Sequence, residues 1–145
     1  MGSEITLQIK LVKPIPGVIF GLQKGSGRNY ETVQKQLSTT EDLTFTFQAK
    51  LRDNPSRDNL PKFSGHFIQG PSANQFIYID IGTSAGQSDT HWSRRLKIPL
   101  IGVTWKELDA LSASSILQTS VPGTGKDGGP NCATVKPFEG WYIQQ

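Results

Sequence analysis

The sequence predicts an all-β domain: about nine antiparallel strands, barrel-like or sandwich, with one short helix near 104–111. Three observations carry that expectation. Apolar and polar residues alternate with a period of two in several segments, as a half-buried strand requires. The chain is rich in helix breakers, with 15 glycines and 9 prolines in 145 residues, a composition that disfavours helical bundles and suits short strands joined by turns. The aliphatic and aromatic fraction is 35%, low for a helix-packed core but sufficient for one β domain of this length.

Taken in order, residues 5–12 place Ile5, Leu7, Ile9 and Leu11 on one face and Thr6, Gln8 and Lys10 on the other. A proline-containing turn ends this strand, because proline supplies no ladder donor. The second strand is 18–25, with Gly21 as a bulge or close-approach point, and the third is 30–37, marked by Tyr, Thr and Val. Residues 43–52 are the cleanest strand. Leu43, Phe45, Phe47, Ala49 and Leu51 point one way, and Thr44, Thr46, Gln48, Lys50 and Arg52 the other. Segments 62–70 and 75–82 read as a hairpin across Pro-Ser-Ala-Asn. Segment 94–100 contains Pro99, which suits an edge or a bulge.

The period then changes. Thr104 with Glu107 three positions later is a capping box, and Trp105, Leu108 and Leu111 fall at helical spacing. Segments 115–121 and 139–145 complete the strands. Segment 75–82 is apolar on both faces: Ile77, Ile79 and Ile81 make one, and Phe76 and Tyr78 the other. A strand covered on both sides is central, and on that ground the barrel-like form is favoured. No repeat, low-complexity tract or linker divides residues 1–145, so a single domain is expected.

The charge balance is mild, at +3, and implies solubility rather than a polyanionic partner. The phenylalanines of 43–52 share a face with leucines and read as core, so nucleic acid is not expected as a partner. No stretch approaches the length of a membrane span, and no membrane partner is expected. The start of the chain has no signal-peptide pattern, and its loose myristoylation pattern, Met1-Gly2 to Thr6, reads as a chance match. One cysteine fits a reducing compartment, so the expected location is cytoplasmic. One cysteine and two histidines, without His-x-x-x-His or Cys-x-x-Cys, give no zinc set. Asp53 and Asp58 lack the glycine spacing of a calcium loop. No metal or cofactor is expected.

Segments "PGVIFGLQKG", "FIQGP", "FIYIDIGTSAGQ", "WSRRLKIPL" and "VPGTGKDGGPNCATV…GW" together resemble an uncharacterised family of small bacterial proteins, a domain of unknown function. The resemblance runs from Ile5 to Trp141. It implies a bacterial single-domain protein and carries over no activity, substrate or catalytic residue.

Function therefore has to come from particular residues. The glycine-rich stretch 121–135 fails as a Walker loop: Gly125-Lys126 precedes Asp127 rather than Ser or Thr, and Ser120 stands where the first glycine belongs. A strand connection is the plainer role, and a looser anion nest at Gly125, Lys126 and Asn131 the functional one. Cys132 lacks the local signatures of cysteine hydrolases and would need His66 or His91 in reach to act as a nucleophile. The sharper cluster is 89–97. Arg94 shares parity with Leu96, Ile98 and Leu100, and a cation in phase with the core needs a partner. Asp80 is the natural one, on the face of Phe76 and Tyr78. The expected structural role is an Asp80–Arg94 salt bridge. The functional alternative is a pocket of Tyr78, Asp80, Trp92 and Arg94, whose guanidinium suits carboxylate or phosphate. These residues favour a binding module for a polar or anionic small ligand at one end of the barrel. A protein–protein interaction module is the alternative, and a cysteine-dependent enzyme the third reading. Oligomeric state is not legible.

Overall fold

The computed structural model describes residues 3–26, 29–51, 61–70, 75–82, 92–100, 102–111, 115–123, 132–134, 138 and 140–144. Ten strands lie among them: β1 (Ser3–Val12), β2 (Ile19–Ser26), β3 (Asn29–Leu37), β4 (Leu43–Leu51), β5 (Phe63–Ser64), β6 (Phe76–Gly82), β7 (Trp92–Pro99), β8 (Ile116–Pro122), β9 (Cys132–Thr134) and β10 (Tyr142–Gln144). They form two five-stranded sheets, β10-β8-β1-β4-β5 and β3-β2-β6-β7-β9. The sheets do not join into a closed barrel, so of the two expected forms the molecule takes the sandwich. β6 is the middle strand of its sheet, as its two apolar faces require.

Alternation builds the core. Leu7 pairs with Phe47, Ile9 with Phe45 and Leu11 with Leu43, and each of these six is at most 6% exposed. The second sheet supplies Phe20, Leu22, Ile77, Ile79, Ile81, Leu96 and Ile98 to the same cluster. Truncating a fully buried member such as Ile79 to alanine removes contacts worth about 2–5 kcal/mol.

Four features depart from the sequence reading. Two pairings are parallel rather than antiparallel, β1 with β8 and β7 with β9. The expected hairpin of 62–70 with 75–82 is reduced to one bridge, Gln69 with Phe76. Its first strand stops at Gly65, whose φ of +121° is a conformation L side chains rarely adopt; β5 pairs with β4 instead. The helix is a single turn, α1 (Trp105–Asp109), closed by the Leu108 amide donating to the Thr104 carbonyl at 3.2 Å. The bulge in β2 falls between Leu22 and Gln23, next to Gly21 rather than on it.

Both open sides of the sandwich are tied. On one side the corner after β5 crosses between sheets: the Gly25 amide donates to the His66 carbonyl at 2.8 Å, and Gln75 Nε2 donates to the Phe63 carbonyl at 2.7 Å. Nearby, the Gln34 and Gln36 amides of β3 donate to the Thr46 and Thr44 carbonyls of β4 at 2.8 and 2.7 Å. On the other side Trp141, 3% exposed, donates from Nε1 to the Pro99 carbonyl at 3.0 Å. Its neighbour Gly140 accepts from Thr119 Oγ1 of β8.

Candidate functional site

Register, not parity alone, decides what meets Asp80. Leu96 lies opposite Ile79, so the residue opposite Asp80 is Arg95, and Arg94 falls opposite Ile81. The expected Asp80–Arg94 pair is thereby corrected to Asp80–Arg95. It is bidentate: Arg95 Nε donates to Asp80 Oδ1 at 2.8 Å and Nη2 to Oδ2 at 3.0 Å. The Asp80 side chain is 4% exposed and that of Arg95 28%. A carboxylate buried this far is tolerable because the guanidinium fork fits both its oxygens. Arg94 is half-buried at the end of the inner face, on the parity of Leu96 and Ile98.

Aromatic rings complete the outer face of the second sheet. Phe76 and Tyr78 alternate with Asp80 along β6, their ring centroids 4.8 Å apart. The Arg95 guanidinium stands 4.3 Å from the Tyr78 ring centroid, and the Lys97 ammonium 4.2 Å from that of Phe76. Each cation thus leans one register step from its direct cross-strand partner, over the ring on the diagonal, within cation–π range. Phe76, Asp80, Gly82 and Pro99 on this face are buried, whereas Tyr78, Arg95 and Lys97 are half-buried. The three form a partly open window beside buried neighbours, in which two cations stand near the Asp80 carboxylate.

The other expected site residues divide in two groups. Trp92 is placed by its backbone opposite Gly82, across a bulge. Gly125, Lys126 and Asn131 lie outside the described residues, as does His91. The start of the glycine stretch has a structural task. Gly123 donates to the Val12 carbonyl at 2.9 Å, and a Cβ there would stand 2.6 Å from Pro14 Cα. Cys132 pairs with Arg95 through the β9 backbone. His66 instead hydrogen-bonds Gly25 of β2, and β2 lies three strand spacings from β9, roughly 14 Å. The backbones of β9 and of the strand that holds His66 by this hydrogen bond are thus set apart in the strand order.

Lys97 and Arg95 belong to the window although sequence reasoning left both outside the pocket. The signal was present in the alternation of β6 and β7, which sets Phe76, Tyr78 and Asp80 on one face and Arg95 and Lys97 on another; what was missing was the register that joins those faces. A concavity elsewhere escaped altogether: a cleft of about 360 Å³ lined by Glu4, Gln48, Ala49, Lys50, Ser64, Gly65 and His66. It gathers residues from three separate segments, so no local motif marks it.

Among the described residues no three His, Cys, Asp or Glu side chains gather as a metal set, and no helix is long and apolar enough to cross a membrane. No curated protein and no solved structure matches the chain. The match that exists covers residues 5–144, from the first core residue of β1 to the end of β10, the whole two-sheet unit rather than one motif within it; by that match the chain belongs to a family of unknown function, DUF5990.

Proposed function

We propose that the protein is a binding module for a small anionic ligand, seated at the window of Tyr78, Arg95 and Lys97. The pair of cations stacked on neighbouring rings supports this: among the described residues Asp80 pairs with Arg95, and Lys97 meets the Phe76 ring rather than a carboxylate. Arg95 is oriented by Asp80, while Lys97 has the Phe76 ring and, among the described residues, no carboxylate. A carboxylate or phosphate group entering there gains a lysine ammonium and a stacked guanidinium, with the Tyr78 ring as an apolar flank.

A thermal-shift screen against nucleotides, sugar phosphates, simple sugars and carboxylates tests the reading. A ligand at 100 times its Kd adds about 2.7 kcal/mol of stability, enough for a shift of several degrees. The expected result is a shift with an anionic class that Lys97→Met abolishes and Arg94→Ala retains. No shift across the panel defeats it.

The exposed apolar side chains of β3 favour a protein-interaction module as the second reading. β3 is an edge strand, and Val33 and Leu37 on it are 41% and 56% exposed. Self-association at rising concentration in sedimentation, lost in Leu37→Lys, would support it over ligand binding. A bacterial origin and a cytoplasmic location remain part of the proposal, the latter resting on the single cysteine. Cell fractionation tests that location.

A further inference from the structure

We propose that the cleft beside β5 is a second site, built for a small zwitterion of the α-amino-acid class. Its lining carries the chemistry for both poles of such a molecule. Glu4 and Lys50 are direct cross-strand partners on the outer face of the first sheet, and both line the cleft. Neither makes an ion pair with the other or with another described residue. A carboxylate and an ammonium standing side by side without closing on each other present two opposite charges to any occupant of the space between. A ligand with an ammonium and a carboxylate matches both; a simple anion or cation matches one and is repelled by the other.

The uncharged groups are oriented as well. Gln48 Nε2 donates to Thr6 Oγ1 at 2.9 Å, which leaves its amide oxygen as the acceptor available to a ligand. His66 Nδ1 lies 3.1 Å from the Gly25 carbonyl. A carbonyl oxygen only accepts, so Nδ1 carries the hydrogen and Nε2 is the acceptor of the neutral ring. Gln69 reinforces the arrangement by donating to the His66 carbonyl at 2.8 Å, and the Gly25 amide donates to the same carbonyl. Ser64, opposite Lys50 in the ladder, adds a hydroxyl. Ammonium recognition thus falls to Glu4, Gln48 and His66, and carboxylate recognition to Lys50 and Ser64. The volume of about 360 Å³ lies within the range of small-molecule sites.

This site is independent of the window: it lies on the outer face of the other sheet, and its failure would leave that reading untouched. The test is a titration of the isotope-labelled full chain with L-glutamine and glycylglycine, monitored by amide NMR shifts. The same is done with N-acetyl-L-glutamine, which lacks the ammonium, and L-glutamine amide, which lacks the carboxylate. The expected result is saturable shifts centred on Ser64, Gly65 and His66 for the zwitterions, with each blocked form at least tenfold weaker. Glu4→Gln and Lys50→Gln should each weaken zwitterion binding at least tenfold, with unchanged circular dichroism, and Lys97→Met should leave it as it was. Absence of saturable shifts at ~10 mM zwitterion, typical of affinities too weak to matter, overturns the proposal. So does equal binding of the blocked forms, or variants that bind within twofold of the parent.

Discussion

The two sheets share one core but turn different outer faces to their surroundings. On the first sheet, Gln8 donates to Thr46 and Gln48 to Thr6 at 3.1 and 2.9 Å, and Gln8, Thr46 and Gln48 pair across the same two strands as the core residues do. All are short polar rungs open to water. On the second sheet the corresponding face holds Phe76, Tyr78, Asp80, Arg95 and Lys97, with Asp80 only 3% exposed. Water can substitute for these rungs between β1 and β4. It cannot reach Asp80, so the second face has to supply its own counter-charge and stack its cations on rings. Exposure, more than residue type, thus decides where a polar group becomes costly.

That contrast can be broken most forcefully at Arg95. Arg95→Ala strands a buried carboxylate and should cost about 3 kcal/mol, the lower end for a broken buried pair because Arg95 is partly exposed. The double variant Asp80→Leu/Arg95→Met should recover most of that loss. Urea unfolding measures both, and a loss under about 1 kcal/mol for Arg95→Ala would put the pair in the class of surface ion pairs. Next comes the seam between sheets. Gln34→Ala with Gln36→Ala removes two neutral hydrogen bonds and should cost about 1–2 kcal/mol, with self-association in sedimentation as the bared β4 edge finds a partner. Smaller still is Lys97→Met, at about 0.5–1 kcal/mol for a partly exposed cation–π contact. Urea unfolding with Phe76→Leu alongside sharpens it: in the absence of the ring, the lysine substitution should cost nothing further. Smallest is Gln8→Ala on the first sheet, expected within about 0.5 kcal/mol. A larger loss there would erase the difference between the faces.

Much of the architecture was legible because alternation is a local property. Residues 5–12 and 43–52 announced their faces one by one, and the doubly apolar 75–82 announced its central place. Pairing is not local. Parity along 94–100 correctly set Arg94 with Leu96 and Ile98, and parity along 75–82 correctly set Asp80 with Tyr78. Nothing in either segment said that Leu96 would sit opposite Ile79, and that one step exchanged Arg94 for Arg95. Parallel pairing of β1 with β8 is hidden for the same reason, since their partnership spans most of the chain. The helix begins at Trp105, directly after Thr104, but runs for only one turn, because a capping-box pattern marks where a helix starts and not how far it runs. The cleft was illegible because Glu4 meets Lys50 only through the register of β1 with β4, and His66 joins them only after the corner at Gly65 has turned.

The glutamines of β3 have a consequence for how the fold can change over generations. A backbone ladder is indifferent to side-chain identity, so substitution rarely erases it. Here β3 donates to β4 through the side-chain amides of Gln34 and Gln36, so these two bonds depend on which residues stand there. Replacing them loosens one wall of the sandwich, which the Gly25–His66 backbone bond still ties, while leaving both sheets intact. The fold therefore carries a seam that mutation can open, at a position where a strand from elsewhere can be admitted.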